Sequence, residues 1–259
     1  MVPKTLTLAA TLAAVSLSAH PALSNDVRVL ESTDRGIVVE IVTDSFTVEP
    51  VVHGGAEFVR VAAPGCDWTT EPGLPRLPVR GVLLGVPFGS DARLEVVTVE
   101  SERLGETAVE PAPRESFARD GEFVIPLQEF ETDDAFYRAG DSHPAGVAAL
   151  GFDAVLRHQR TVQVLFHPFH YGPRDGLVVN RRIVVRLALT PGARTDDVVP
   201  APVGEREWDG IYAGTVLNHR EAREWRMRPA PRAVRGRAAR RSEAYRFDVG
   251  ETGIHRLDF

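Results

Sequence analysis

The chain has 259 residues, 43% hydrophobic and 25% charged, with a formal net charge of −6. That balance excludes a disordered or fibrous protein and describes one ordinary soluble domain with extra segments. The single cysteine, Cys66, excludes an internal disulfide and any cysteine-based zinc cluster. With no His beside it in sequence to activate it as a nucleophile, it reads as a small buried or edge residue.

At the N-terminus, Lys4 precedes an apolar run from Leu6 to Leu17. The run is too short for a bilayer span of roughly 20 residues. Ala22-Leu23-Ser24 fits a signal-peptidase site, so cleavage is expected after Ser24, with residues 1–24 as a signal peptide. No later apolar run approaches membrane length, and no membrane contact is expected once the signal is removed.

Short strands of period two follow: Val27–Glu31, Gly36–Thr43, Phe46–Val52 and Glu57–Val61. Glu71 to Pro78 then places three prolines in eight residues, which predicts an extended, unpaired segment. Val79–Pro87 and Arg93–Glu102 flank Gly89-Ser90-Asp91 and predict a hairpin. Glu110 to Gly151 is a long polar connection, of a length that in a compact domain is functional or disordered. Within it Asp133 and Asp134 lack calcium-loop spacing and read as solvated loop acids.

The most regular pattern lies between Arg160 and Leu189. Val162, Val164 and Phe166 alternate in Arg160–Phe166, and Leu177, Val179, Ile183, Val185, Leu187 and Leu189 share one face of Leu177–Leu189. A proline- and glycine-rich turn, His167 to Gly176, joins them as a predicted hairpin, and Arg181 breaks the alternation as a bulge residue would. A hairpin this long needs a second sheet to pack on, so the fold class is all-β: an antiparallel β-sandwich with a signal peptide and a C-terminal linker. His158, His167 and His170 are spaced so that strand geometry turns them to different faces, against a metal site.

Trp208–Arg226 carries the best helical periodicity, with Ile211, Val216 and Leu217 on its apolar face. From Arg223 to Arg241 there are eight arginines, and the only lysine of the chain is Lys4, so this linker is rich in arginyl bonds and has no lysyl ones. A basic tract can hold nucleic acid through its phosphates, but the signal segment and the acidic remainder argue against that partner. Tyr245–Phe259 reads as the first hairpin of a further domain.

Glu71-Pro72-Gly73-Leu74-Pro75-Arg76-Leu77-Pro78 before a strand, Pro111-Ala112-Pro113, His167-Pro168-Phe169-His170-Tyr171-Gly172-Pro173 between strands, and Trp208-Asp209-Gly210-Ile211-Tyr212 together resemble the propeptide of gingipain-type cysteine endopeptidases. The resemblance implies a jelly-roll-like sandwich over residues 25–223, a linker over 224–244 and the start of another domain over 245–259. It implies a secreted or cell-surface zymogen whose prodomain assists folding and blocks the cleft of a cognate catalytic domain in cis, with the catalytic Cys and His beyond Phe259. No catalytic site, cofactor or metal is implied within these residues. It places an inhibitory arginine soon after the Ala-Pro pair, Arg119 foremost and Arg114 next, and processing at Arg223, with Arg241 in the tract behind. The alternative, an adhesion or carbohydrate-binding sandwich, would use Trp68, Phe136 and Tyr137 as platforms.

Overall fold

The β-branched, period-two segments form strands where the sequence places them. The computed structural model describes residues 26–120, 123–192, 198–201 and 206–229; the signal segment with Ser24, most of the arginine tract with Arg241, and Tyr245–Phe259 lie outside them. The first half of the chain forms β1 (Asp26–Thr33), β2 (Gly36–Val42), β3 (Thr47–His53), β4 (Ala56–Ala62), β5 (Asp67–Trp68), β6 (Pro78–Gly85), β7 (Ser90–Gly105), β8 (Arg114–Asp120) and β9 (Phe123–Glu129). Helix α1 (Asp134–Ala139), β10 (Ala148–Leu156), β11 (Gln159–Phe166), β12 (Phe169–Gly172) and β13 (Gly176–Pro191) follow. The C-terminal part contains β14 (Val198–Pro200), α2 (Arg206–Thr215), α3 (His219–Ala222), a 3-10 turn (Arg223–Trp225) and β15 (Met227–Pro229).

Two antiparallel sheets face each other. One runs β1-β2-β13, with β12 also on β13 and β7 paired along it; the other runs β10-β11-β6-β5. Between them Ile37, Val39 and Ile41 of β2 and Ile183, Val185 and Leu187 of β13 meet Val82, Leu84, Val162, Val164 and Phe166 of β6 and β11 in one buried cluster. The predicted core set from the two regular strands therefore shares a core.

Neither of the two hairpins predicted among the described residues forms. Residues 160–166 belong to β11, which pairs with β10 and β6, whereas residues 177–189 belong to β13, which pairs with β2, β7 and β12. The strands oppose each other across the core instead of lying side by side, because Val162, Val164 and Phe166 meet Ile183, Val185 and Leu187 across it and the prolines between the strands cannot extend a ladder. Asn180 holds this crossing: its backbone N–H donates to Pro168 O at 2.7 Å and its Nδ2 donates to His167 O at 3.0 Å. The same holds for β6 and β7, which lie in opposite sheets around Gly89. There Arg160 Nη1 donates to Pro87 O at 3.1 Å and to Ser90 O at 2.6 Å.

Arg181 is a bulge residue, since Asn180 pairs with Ser101 and Arg182 with Glu100, leaving Arg181 unmatched on β7. An extra residue reverses the alternation beyond it. Leu177 and Val179 consequently join a second cluster with Val61, Leu77, Val109, Phe169 and Tyr171, separate from the core that holds Ile183. The single face expected for residues 177–189 is thus two faces.

The predicted helix over 208–226 is interrupted. Val216 bridges to Leu83 and Leu217 N–H donates to Leu83 O at 2.9 Å, so the chain there lies against the edge of β6 rather than continuing a helix. Tyr212, Val216 and Ala222 are buried with Trp208 and Trp225 against them, while Ile211 is 45% exposed. Among the described residues no helix is long and apolar enough to cross a membrane.

Candidate functional site: a projecting arm and its base

The long polar connection contains a two-stranded arm. β8 pairs with β9 from Arg114↔Glu129 to Asp120↔Phe123, and with no other strand among the described residues. Val124, Ile125, Phe117 and Phe123 favour extended backbone, and Pro126, opposite Phe117, costs nothing on an edge. Paired residues share a face, so Phe123, Ile125 and Leu127 lie with Ser116 and Ala118, and Phe117, Val124 and Pro126 lie with Glu115 and Arg119. Among the described residues neither face is covered: Phe117 is 73% exposed and Phe123 76%. A hairpin with apolar residues bare on both faces is marginal in water on its own and marks a surface that a partner covers.

The arm stands on a buried acid. Glu110 is fully buried, and Arg60 grips it at both oxygens, Nε to Oε1 at 2.7 Å and Nη2 to Oε2 at 2.9 Å. His53 Nε2 donates to Oε2 at 3.0 Å, and Arg76 stands 3.7 Å away. Burial pushes the Glu110 carboxyl up, but hydrogen bonds from Arg60 and His53 and the charges of Arg60 and Arg76 outweigh it, so the carboxyl titrates below its ordinary range. The proline-rich segment supplies backbone pairing: Arg76 N–H donates to Glu110 O at 2.8 Å, and Ala112 N–H to Leu74 O at 2.8 Å. Against this base opens a cleft of about 590 Å³ lined by Asp67, Trp68, Pro72, Arg76 and Arg114, with the Arg76 guanidinium 4.8 Å over the Trp68 ring.

Arg119 is exposed on β8 opposite Val124, one pair from the outer end of the described ladder; Gly121 lies outside the described residues. Arg114 is exposed at the arm's foot, opposite Glu129, and lines the cleft. The two candidates sit at opposite ends of one strand. Arg223 is exposed in the 3-10 turn, but its neighbours are not free: Ala222 is buried, Trp225 packs on the core, and β15 pairs with β14 beyond it. Packed structure therefore continues past Arg223 to Pro229.

The other residues singled out from the sequence sit as follows. Cys66 is half-buried, and burial pushes its thiol up. Asp133 caps α1, accepting from Ala135 N–H at 2.8 Å, and Asp134 sits beside Arg138. His167 Nδ1 donates to Gly146 O at 2.6 Å, burial lowers His170, and no cluster among the described residues could hold a metal. Phe136 and Tyr137 pack on the second core, with burial raising the Tyr137 hydroxyl, so they are not open platforms. Sequence reasoning missed Glu110, His53 and Gly73. The one available signal was an acid set between Val109 and Pro111 in otherwise apolar company.

The family model Propeptide_C25 matches residues 19–199. The chain belongs to the C25 propeptide family. Solved structures share the fold. A chain in the complex of Porphyromonas gingivalis RgpB pro- and mature domains matches with a TM-score of 0.62 at 20% identity, covering 74% of this chain and 97% of that one. Another, from a structure of zymogenic latency in gingipain K of the same organism, matches with a TM-score of 0.51 at 18% identity, over 65% of this propeptide and 94% of its own length. No curated protein matches this C25 propeptide in sequence.

Proposed function

We propose that this C25 propeptide is the inhibitory, folding-assisting prodomain of an exported gingipain-like cysteine endopeptidase, held in cis over its catalytic cleft by the β8–β9 arm. The observation that carries the reading is the arm itself: apolar on both faces, paired with no other described strand, and rooted in a buried ion cluster. A solved chain of the same fold is described in complex with a mature domain, which supports a protease as the partner. Arg119 is the side chain offered to the specificity pocket, where a carboxylate would pair with the guanidinium. The strand ladder behind it holds the backbone away from the distorted geometry that attack on its carbonyl requires. Arg114, at the foot, contacts the rim.

Residues 1–24 direct export, and release follows cleavage at arginyl bonds. Because the chain stays packed to Pro229, the bonds of the tract beyond it, up to Arg241, are cut in preference to Arg223, and the prodomain keeps its strand β15.

The test is titration of the C25-type catalytic domain with this propeptide. The reading predicts stoichiometric inhibition that a small arginyl substrate competes away. Full activity at saturating propeptide would overturn it.

A further inference from the structure

Both ends of the arm meet at the same two residues. On the incoming side His53 bonds to Glu110, and on the outgoing side its ring stacks on Phe130, 3.9 Å between centroids and 11° between planes. Gly73 does the same with its backbone: its N–H donates to Ala112 O at 3.0 Å and its carbonyl accepts from Asp133 N–H at 3.0 Å. With φ at +85° and an added Cβ only 3.0 Å from Asp133 N, the position admits no side chain without strain.

We propose that His53 and Gly73 form a two-point clamp that keeps the arm strand-paired when a protease other than the cognate one cuts its Arg119–Asp120 bond, so that the propeptide remains an inhibitor after hydrolysis of the arm. The proposal rests on Arg119 being the residue offered to the protease. Hydrolysis adds one water across the amide, leaving a carboxylate on Arg119 and an ammonium on Asp120; the reverse joins them and expels that water. Neither new end can leave. Residues 114–119 stay laddered to 124–129, and the base stays closed at His53 and Gly73. The two ends therefore face each other at the high effective concentration of an intramolecular pair. The product keeps the shape of the bound arm and continues to fill the cleft. His53 and Gly73 act here as positioning residues and touch no substrate.

The experiment uses propeptide nicked at Arg119 by brief trypsin treatment, with the cut mapped by mass spectrometry, alongside intact protein. Amide hydrogen exchange at Ser116–Ala118 is measured in the free protein, and the inhibition constant against the catalytic domain is measured for both forms. The proposal predicts that nicking changes exchange and inhibition by no more than about threefold. In Gly73→Ala and in His53→Leu, nicking should accelerate arm exchange by about tenfold or more and weaken inhibition similarly, while the intact variants keep near-normal inhibition. Loss of arm protection in the nicked wild-type protein would overturn the proposal, as would equal exchange in nicked wild type and nicked His53→Leu. If intact propeptide does not inhibit at all, the functional reading fails, and the exchange data still decide the clamp.

Discussion

The side-chain amide of Asn218 pairs with the backbone of Gly85 as a neighbouring strand would: Oδ1 accepts from Gly85 N–H at 2.8 Å, and Nδ2 donates to Gly85 O at 2.9 Å. Both residues are buried, and Nδ2 also donates to Ser32 Oγ at 3.0 Å. This contact fastens the C-terminal helices to the sandwich. Asn218→Ala strands two buried backbone groups and should cost about 3 kcal/mol, measured by urea unfolding; a loss below about 0.5 kcal/mol would mean that the anchor lies elsewhere.

The same fastening governs processing. A scissile bond must sit where the chain can extend through a protease, and Arg223 lies in a 3-10 turn between buried Ala222 and packed Trp225. Limited proteolysis of the folded chain by an arginine-specific enzyme should cut beyond Pro229 well before Arg223. Asn218→Ala should reverse that order by loosening the segment. N-terminal sequencing of the fragments reads the result directly.

Ile183 and Phe166 face each other across the main core from opposite sheets, both fully buried. Truncating either to alanine should cost about 2–5 kcal/mol, read as a shift in the denaturation midpoint with an unchanged slope.

Glu110 makes stability depend on acid. Its folded carboxyl titrates below the ordinary 4.5, so its contribution is fully present above about pH 4.5 and is lost as pH falls through the lower folded value. Glu110→Gln should lower stability at pH 7 by about 3 kcal/mol, because Arg60 is left against a neutral partner. The variant's stability should then fall less steeply than the wild type's below pH 4.5. Parallel profiles would remove the carboxylate from this role.

The strands were legible because one buried face enforces a period of two, and the misfit at Arg181 marked a real bulge. What that bulge did to Leu177 and Val179 was not, since reversal of the alternation appears only when register with β7 is known. Pairing was also hidden. A hairpin and a crossing between sheets leave the same alternation in residues 160–189, and the choice rests on Asn180 reaching back to His167 and Pro168. The arm read as a loop because its apolar residues fall on both faces, a pattern that no single core imposes. Arg114 and Arg119 came from family likeness, while Glu110, His53 and Gly73 belong to a base assembled from segments 20 to 57 residues apart, which local pattern cannot reveal.

The measurement closest to the central claim is the inhibition constant of Arg119→Ala against the catalytic domain, with Arg114→Ala beside it. Both residues are exposed on the arm, so neither change should disturb the propeptide's thermal unfolding. The account predicts that Arg119→Ala weakens inhibition by about tenfold or more, equivalent to about 1.4 kcal/mol, and that Arg114→Ala changes it by less than threefold. Unchanged inhibition in Arg119→Ala would contradict it.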